Sequence, residues 1–263
     1  MSPHPLRLTV VGCSGSYPGP ESAASCYLLE AEQDGRTWRI LLDLGNGALG
    51  QLHRYVDPLS IDAVFLSHLH ADHCLDLCGY YVMRKYHPTG AQPSIPVWGP
   101  DGTAARMARA YDLPLEPGMT EEFDFRVYGD RDDGDRAEVE LGPFRVEARR
   151  VVHPVAAYAL RVTAGGRTLV YSGDTAPCAE LDEIAAGTDL LLAEASFRTG
   201  DPNPADLHLT GADCARTAAR AGAERLVLTH VPPWHDPADA EAEARAAWDG
   251  PVELARAGAT YDV

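Results

Sequence analysis

Between residues 68 and 73 the chain reads His68-Leu69-His70-Ala71-Asp72-His73, four potential metal donors within six residues. Imidazole nitrogens and carboxylate oxygens are the donors that a divalent transition ion such as zinc accepts. Groups this close in sequence reach one pocket only where the backbone turns, and the small Ala71 leaves room for that turn. Three further candidates each stand just past an apolar run: His153 after Arg150-Val151-Val152, Asp174 after Leu169-Val170-Tyr171-Ser172-Gly173, and His230 after Leu226-Val227-Leu228-Thr229. Taken singly, each has a structural reading, as a loop-end histidine or as an aspartate capping Thr175. As a set they bring the donors to seven, the number that suits two ions sharing one bridging carboxylate.

The elements that must position these donors are strands. Ile61 to Ser67 reads as a buried strand leading into His68, and Leu226 to Thr229 as one delivering His230. Side chains at the same end of several strands meet at one edge of a sandwich, where α/β folds place their sites. Further strands are expected at Leu6 to Val11, Cys26 to Glu30, Trp38 to Leu42 (ending at Asp43), Phe144 to Val152, Tyr158 to Val162, Thr168 to Tyr171 and Asp189 to Ala193. Ala164-Gly165-Gly166-Arg167 is a hairpin turn. Helices are expected at Ala48 to Tyr55, Leu75 to Tyr86, Thr103 to Tyr111 and Ala238 to Trp248. Another should start at a Thr210/Asp213 capping box and end near Gly222. Gly129 to Glu140, with Asp130, Asp132, Asp133, Asp135 and Glu138, reads as a solvated loop or hairpin tip. Both halves show strands followed by helices and no linker divides them, so a single domain over residues 1–263 is expected.

Composition narrows the chemistry. Of the 263 residues 45% are hydrophobic, an ordinary globular balance, but 22 Lys and Arg against 39 Asp and Glu give a formal charge of −17. Such a surface argues against a large nucleic acid partner, which needs Lys and Arg to displace counterions. A small anion held by metal remains compatible, because that attraction is local. No apolar run approaches the roughly 20 residues of a membrane span. Met1-Ser2-Pro3-His4-Pro5 leads into a strand-like segment without a secretion pattern. The six cysteines are scattered, as reduced thiols would be, and a cytoplasmic protein is expected. Cys74 and Cys78, one helical turn apart beside the histidine run, make only a weak case for metal.

The seven donors resemble those of the metallo-β-lactamase fold superfamily, and the resemblance covers nearly the whole chain. It implies an α/β fold, a four-layer αββα sandwich. It implies one ion held by His68, His70 and His153, a second held by Asp72, His73 and His230, and Asp174 bridging them. Zinc suits this donor set best, while manganese or iron also fits an aspartate-bridged pair. Aspartate rather than cysteine at 174 is similar to the ribonuclease Z branch of phosphodiesterases. So are Gly12-Cys13-Ser14-Gly15-Ser16, Asp43-Leu44-Gly45-Asn46-Gly47, Ser172-Gly173-Asp174-Thr175, Glu194-Ala195-Ser196 and Leu207-His208-Leu209-Thr210. The branch implies that Asp72 is both ligand and proton acceptor. It also implies that His208 protonates the leaving alkoxide while Glu194 fixes its tautomer and raises its pKa. Structural readings stand beside these: His208 as a residue next to the Thr210 cap, and Asp43 as either a turn cap or the partner that orients a ligand histidine.

Ribonuclease Z enzymes carry a long protruding arm between the third histidine motif and the bridging aspartate. Here only 20 residues separate His153 from Asp174, and the hairpin uses nearly all of them. A small phosphodiester entering whole is therefore expected. At finer grain, the histidine run extended through Cys74-Leu75-Asp76-Leu77, together with Arg84-Lys85-Tyr86-His87-Pro88, Asp206-Leu207-His208-Leu209 and Leu228-Thr229-His230-Val231-Pro232-Pro233-Trp234, is similar to the actinobacterial atypical class II cyclic-nucleotide phosphodiesterases. That resemblance implies hydrolysis of 3′,5′-cyclic AMP, and of cyclic GMP, by a homodimer. Arg84 or Lys85 is a candidate phosphate contact, and Tyr17 or Trp234 a candidate base contact. The alternatives are a ribonuclease Z-like endonuclease, another small cyclic phosphodiesterase, or a non-catalytic ligand carrier on the same fold.

Overall fold

Alternation of side chains along short Val-, Leu- and Ile-rich strands fills three apolar layers at once. In the computed structural model, which describes residues 6–129 and 135–263, the first sheet holds β1 (Arg7–Ser14), β2 (Ala23–Ala24), β3 (Cys26–Gln33), β4 (Arg36–Leu42), β5 (Ala63–Phe65), β6 (Ile95–Gly99), β7 (Phe123–Val127) and β15 (Thr260–Asp262). The second holds β8 (Arg136–Leu141), β9 (Phe144–Val151), β10 (Ala157–Ala164), β11 (Arg167–Tyr171), β12 (Leu190–Glu194), β13 (Arg225–Thr229) and β14 (Val252–Leu254). Their orders are β15-β1-β3-β4-β5-β6-β7, with β2 beside β1, and β14-β13-β12-β11-β10-β9-β8. Each sheet passes from antiparallel pairs (β1/β3/β4; β8/β9/β10/β11) to parallel ones (β4 to β7; β11 to β14), the shared plan of the two halves.

Between the sheets lie Leu8, Tyr27, Leu29, Ile40 and Phe65 from one side and Phe144, Leu160, Leu169 and Leu192 from the other. The alternate residues point outward. Leu28, Leu41 and Val64 pack under α1 (Ala48–Leu52), α3 (Leu77–Lys85) and α4 (Thr103–Ala110). Val170, Leu191 and Leu226 pack under α5 (Ala179–Ala185), α6 (Gly211–Ala221) and α7 (Pro237–Ala247). Helix, sheet, sheet, helix: this is the αββα sandwich, an α/β fold. The capping box is present, Thr210 Oγ1 accepting from the Asp213 amide at 3.1 Å, and α6 ends at Gly222.

The structure refines several of these expectations. The helix expected from Leu75 to Tyr86 is present as α3; a separate single turn, α2 (Ala71–Cys74), precedes it, and Asp76 between the two accepts the Leu49 amide at 2.8 Å. Part of the charged segment is not loop but the strand β8. Its Ala137, Val139 and Leu141 face the intersheet core while the intervening charges stay outside, as an edge strand requires. Asp130, Asp132 and Asp133 of that segment, like His4, lie outside the described residues. Short strands at β6, β7, β14 and β15, and helix α5, were not anticipated.

Candidate metal centre

Every candidate donor stands at or just past the end of a strand. After β5 the chain runs through Ser67 into buried His68. His70, extended at φ −68° and ψ 154°, is the N-cap of α2, and that single turn carries Asp72 and His73 back toward His68. The turn is held by the Leu44 amide, which donates to the His73 carbonyl at 2.8 Å. A Cβ on Gly45 would lie 2.0 Å from the Asp72 carbonyl oxygen, so only glycine allows these loops to approach so closely. On the other sheet His153 follows β9, Asp174 follows β11, Glu194 closes β12 and His230 follows β13. Because β11, β12 and β13 are parallel neighbours, their ends lie side by side. His230 and Asp43 adopt φ of 58° and 60°, a conformation that costs a non-glycine residue about 1–3 kcal/mol.

The donors gather in two groups that share one residue. His68, His70, His153 and Asp174 each place a donor atom within 4.8 Å of the others, as do Asp72, His73, Asp174 and His230. Asp174 turns Oδ2 toward His68 Nε2 (3.7 Å) and Oδ1 toward His73 Nε2 (3.3 Å) and His230 Nε2 (3.5 Å). Its carboxylate therefore offers one oxygen to each group.

Acceptors on the outer side fix the imidazole tautomers. His73 Nδ1 donates to Asp43 Oδ2 at 2.7 Å, and His153 Nδ1 donates to the Leu207 carbonyl at 2.9 Å. Ser67 Oγ donates its proton to Asp43 Oδ2 (2.7 Å), which leaves it to accept from His68 Nδ1 at 3.1 Å. Ser196 Oγ donates to the His230 carbonyl (3.0 Å) and so accepts from His230 Nδ1 at 2.8 Å. All four rings thus carry a proton on Nδ1 and turn Nε2 inward. There, nitrogens meet without a proton assigned between them: His68 Nε2 lies 3.0 Å from His70 Nδ1, and His73 Nε2 lies 3.1 Å from His230 Nε2. Such an arrangement of lone pairs, each oriented by an outer partner, is what a bound cation requires.

Charge gives the same answer. Asp43, Asp72 and Asp174 are buried, and among the described residues they form ion pairs with histidines alone. Asp174 Oδ1 is buried without a hydrogen-bond partner, the kind of orphan that a cation would satisfy. Burial alone would raise the Asp174 carboxyl, yet the imidazoles of His230, His73 and His68 hold it well below the usual carboxylate range. Burial would likewise lower His73, but Asp174 and Asp43 push it well up, so the pocket calls for positive charge. Burial lowers His68, His70 and His153, which favours the neutral rings that bind metal. These side chains fit divalent cations.

A third cluster adjoins the second group. His208 Nδ1 donates to Glu194 Oε1 at 2.9 Å, and Glu194, fully buried, is fixed by the amides of Thr175 (3.2 Å), Leu209 (3.2 Å) and Ser196 (3.0 Å). Burial disfavours a charged His208, but the Glu194 charge and hydrogen bond outweigh it and push its pKa up to about 9. The pair therefore presents a protonated imidazole beside the metal donors.

The structure brings together all seven predicted donors, and it places Asp43, Glu194 and His208 around them. It also shows orienting groups that sequence reasoning missed: Ser67, Ser196, the Leu207 carbonyl, and Tyr171, whose hydroxyl donates to Asp43 Oδ2 at 2.8 Å. A serine directly before His68 and another two residues after Glu194 were the available signals. The two candidate phosphate contacts are committed elsewhere. Arg84 is buried, donating to Tyr80 Oη (3.2 Å) and to the Pro93 carbonyl, while Lys85 pairs with Glu121 and Glu122, each at 3.1 Å. Cys74 donates its thiol to the His70 carbonyl at 3.2 Å, and burial pushes that thiol up to about 12. Tyr17 and Trp234 stand exposed with ring centroids 5.3 Å apart.

Comparison with known proteins agrees with this geometry. Residues 38–231 match a family described as a β-lactamase superfamily domain. The chain is 44% identical to the uncharacterized protein ML1173 of Mycobacterium leprae, over 98% of this chain and 89% of that one. It is 30% identical to a ribonuclease Z of Myxococcus xanthus over 98% of each. That alignment runs to 308 positions, so the Myxococcus protein carries segments this chain lacks. Among solved structures, the metallo-β-lactamase fold protein YhfI from Bacillus subtilis superposes with a TM-score of 0.84 at 26% identity, covering 99% of both chains.

Proposed function

The chain belongs to the metallo-β-lactamase superfamily, as a metallo-hydrolase related to ribonuclease Z, and from that premise we propose that it hydrolyses a small cyclic phosphodiester, 3′,5′-cyclic AMP and secondarily cyclic GMP, to the 5′-nucleotide. The observation that carries this reading is a complete phosphodiesterase-type donor set joined by a connection too short for an RNA-binding arm. The 20 residues between His153 and Asp174 are taken up by the β10/β11 hairpin, whose turn is Gly165-Gly166. A net charge of −17 further disfavours a large polyanion.

In this proposal His68, His70 and His153 would hold one divalent cation and Asp72, His73 and His230 a second, with Asp174 available to both groups; zinc suits the donors, with manganese or iron as substitutes. When bound, such a pair supplies Lewis acidity toward water and phosphoryl oxygens. Asp72, whose Oδ2 lies 3.1 Å from His230 Nε2, takes a proton from the attacking water. His208, held as a cation by Glu194, gives a proton to O3′ as the bond between phosphorus and O3′ breaks. Water supplies the new phosphorus–oxygen bond, and the product is the 5′-monoester with a free 3′-hydroxyl.

The test is turnover of cyclic AMP, cyclic GMP, bis(p-nitrophenyl) phosphate and precursor transfer RNA, before and after chelation and metal add-back. Hydrolysis of cyclic AMP that is lost on chelation and regained with metal is expected. Efficient transfer RNA cleavage would favour the second reading, a ribonuclease Z-like endonuclease, which the 30% identity to the Myxococcus enzyme supports. Asp174→Ala should abolish turnover and metal loading together while leaving circular dichroism unchanged. Survival of activity in that variant would remove Asp174 from its bridging role.

A further inference from the structure

Two exposed aromatic rings meet on separate loops that both border the donor His230. Tyr17 lies between β1 and β2, and Trp234 follows β13; they remain 43% and 60% exposed although their centroids are 5.3 Å apart. Water-facing aromatic surface of this kind is typical of binding sites. Both loops are anchored to His230. Its amide donates to the Cys13 carbonyl at 3.0 Å, and Gly15 donates to the Val231 carbonyl at 3.2 Å. A Cβ on Gly15 would sit 2.1 Å from the His230 carbonyl oxygen, so the two loops are in close contact. Ser16, the residue before Tyr17, aims its amide at His230 Nε2 from 3.4 Å, so the chain that carries Tyr17 touches the donor cluster. Ser14 Oγ donates to the Tyr17 carbonyl at 2.7 Å and fixes the backbone that carries the ring.

We propose that Tyr17 and Trp234 form the platform on which the nucleobase of the substrate stacks, making them the residues that distinguish a nucleotide from a bare phosphodiester; this rests on the nucleotide reading above. The observations fit a flat, uncharged π-surface better than another anion. The rings offer faces, one hydroxyl and one indole N–H but no cationic group, whereas a cation held by the donor cluster is suited to the phosphate. Because the loops are already tied together, stacking requires little ordering of the protein.

The experiment compares kcat/KM for 3′,5′-cyclic AMP with that for its base-free analogue, 1-deoxyribose 3′,5′-cyclic phosphate, in the metal-loaded wild type, Trp234→Ala, Trp234→Phe and Tyr17→Ala. Stacking on an aromatic side chain predicts that the nucleotide-to-analogue ratio falls about 5- to 150-fold in Trp234→Ala, mainly through KM for the nucleotide. Trp234→Phe, which keeps a ring, should recover most of it, and Tyr17→Ala should lie between. A ratio that stays at the wild-type value would overturn the platform, whether both efficiencies fall together or neither falls. A wild type that hydrolyses bis(p-nitrophenyl) phosphate but no cyclic nucleotide would instead overturn the nucleotide reading, and the platform with it.

Discussion

Asp43 shows how much of the centre depends on residues that touch no substrate. Its two oxygens receive the Ser67 amide at 2.6 Å, the Ser67 hydroxyl, the Tyr171 hydroxyl and His73 Nδ1, so one buried carboxylate sets two imidazole tautomers, His73 directly and His68 through Ser67. Glu194 has the corresponding place beside His208, and its effect is measurable as a pH profile. A donor imidazole acts only while protonated, so turnover should fall as pH rises through the pKa that Glu194 holds near 9. Glu194→Gln removes the charge that raises it, and the falling limb of kcat should move to lower pH. An unmoved limb would assign the proton donation to another group. The donors themselves were legible from sequence because the histidines are few, only 10, and four donors crowd into residues 68–73 at the end of an apolar strand. Their outer partners were not, because a serine hydroxyl or the Leu207 carbonyl acquires its role only through direction in space.

Among the elements, the loop after β4 and the turn α2 must be described together. Asp43 reaches Ser67 and His73, Leu44 binds the His73 carbonyl, and Gly45 lies so near Asp72 that a side chain has no room. Gly45→Ala should therefore displace α2, weakening metal affinity at least about tenfold and lowering stability by about 1–3 kcal/mol. Metal titration and urea unfolding would read the two effects, and wild-type affinity in this variant would show that the contact is not needed. Strands with continuous apolar runs, such as β4, β11 and β13, were readable in the sequence. β6, with Pro96 as its second residue, and the three-residue β14 and β15 gave too little periodicity, and in β8 the charges obscured the alternation of Ala137, Val139 and Leu141.

At the scale of the whole molecule, the donors divide between the sheets: His68, His70, Asp72 and His73 follow β5 of the first, whereas His153, Asp174 and His230 follow strands of the second. Burying Asp43, Asp72 and Asp174 without lysine or arginine leaves charge that a cation neutralises, so chelation should lower Tm by several degrees, measured by calorimetry at fixed pH. An unchanged Tm would mean that the pocket is balanced by protons alone. The same division has a mechanical consequence. Any slip of one sheet over the other shifts one set of donors relative to the other set, so ion retention acts as a gauge of how firmly the halves are seated. A substitution deep between the sheets, far from any histidine, would then announce itself first as leakage of metal on gentle warming, before the backbone begins to melt.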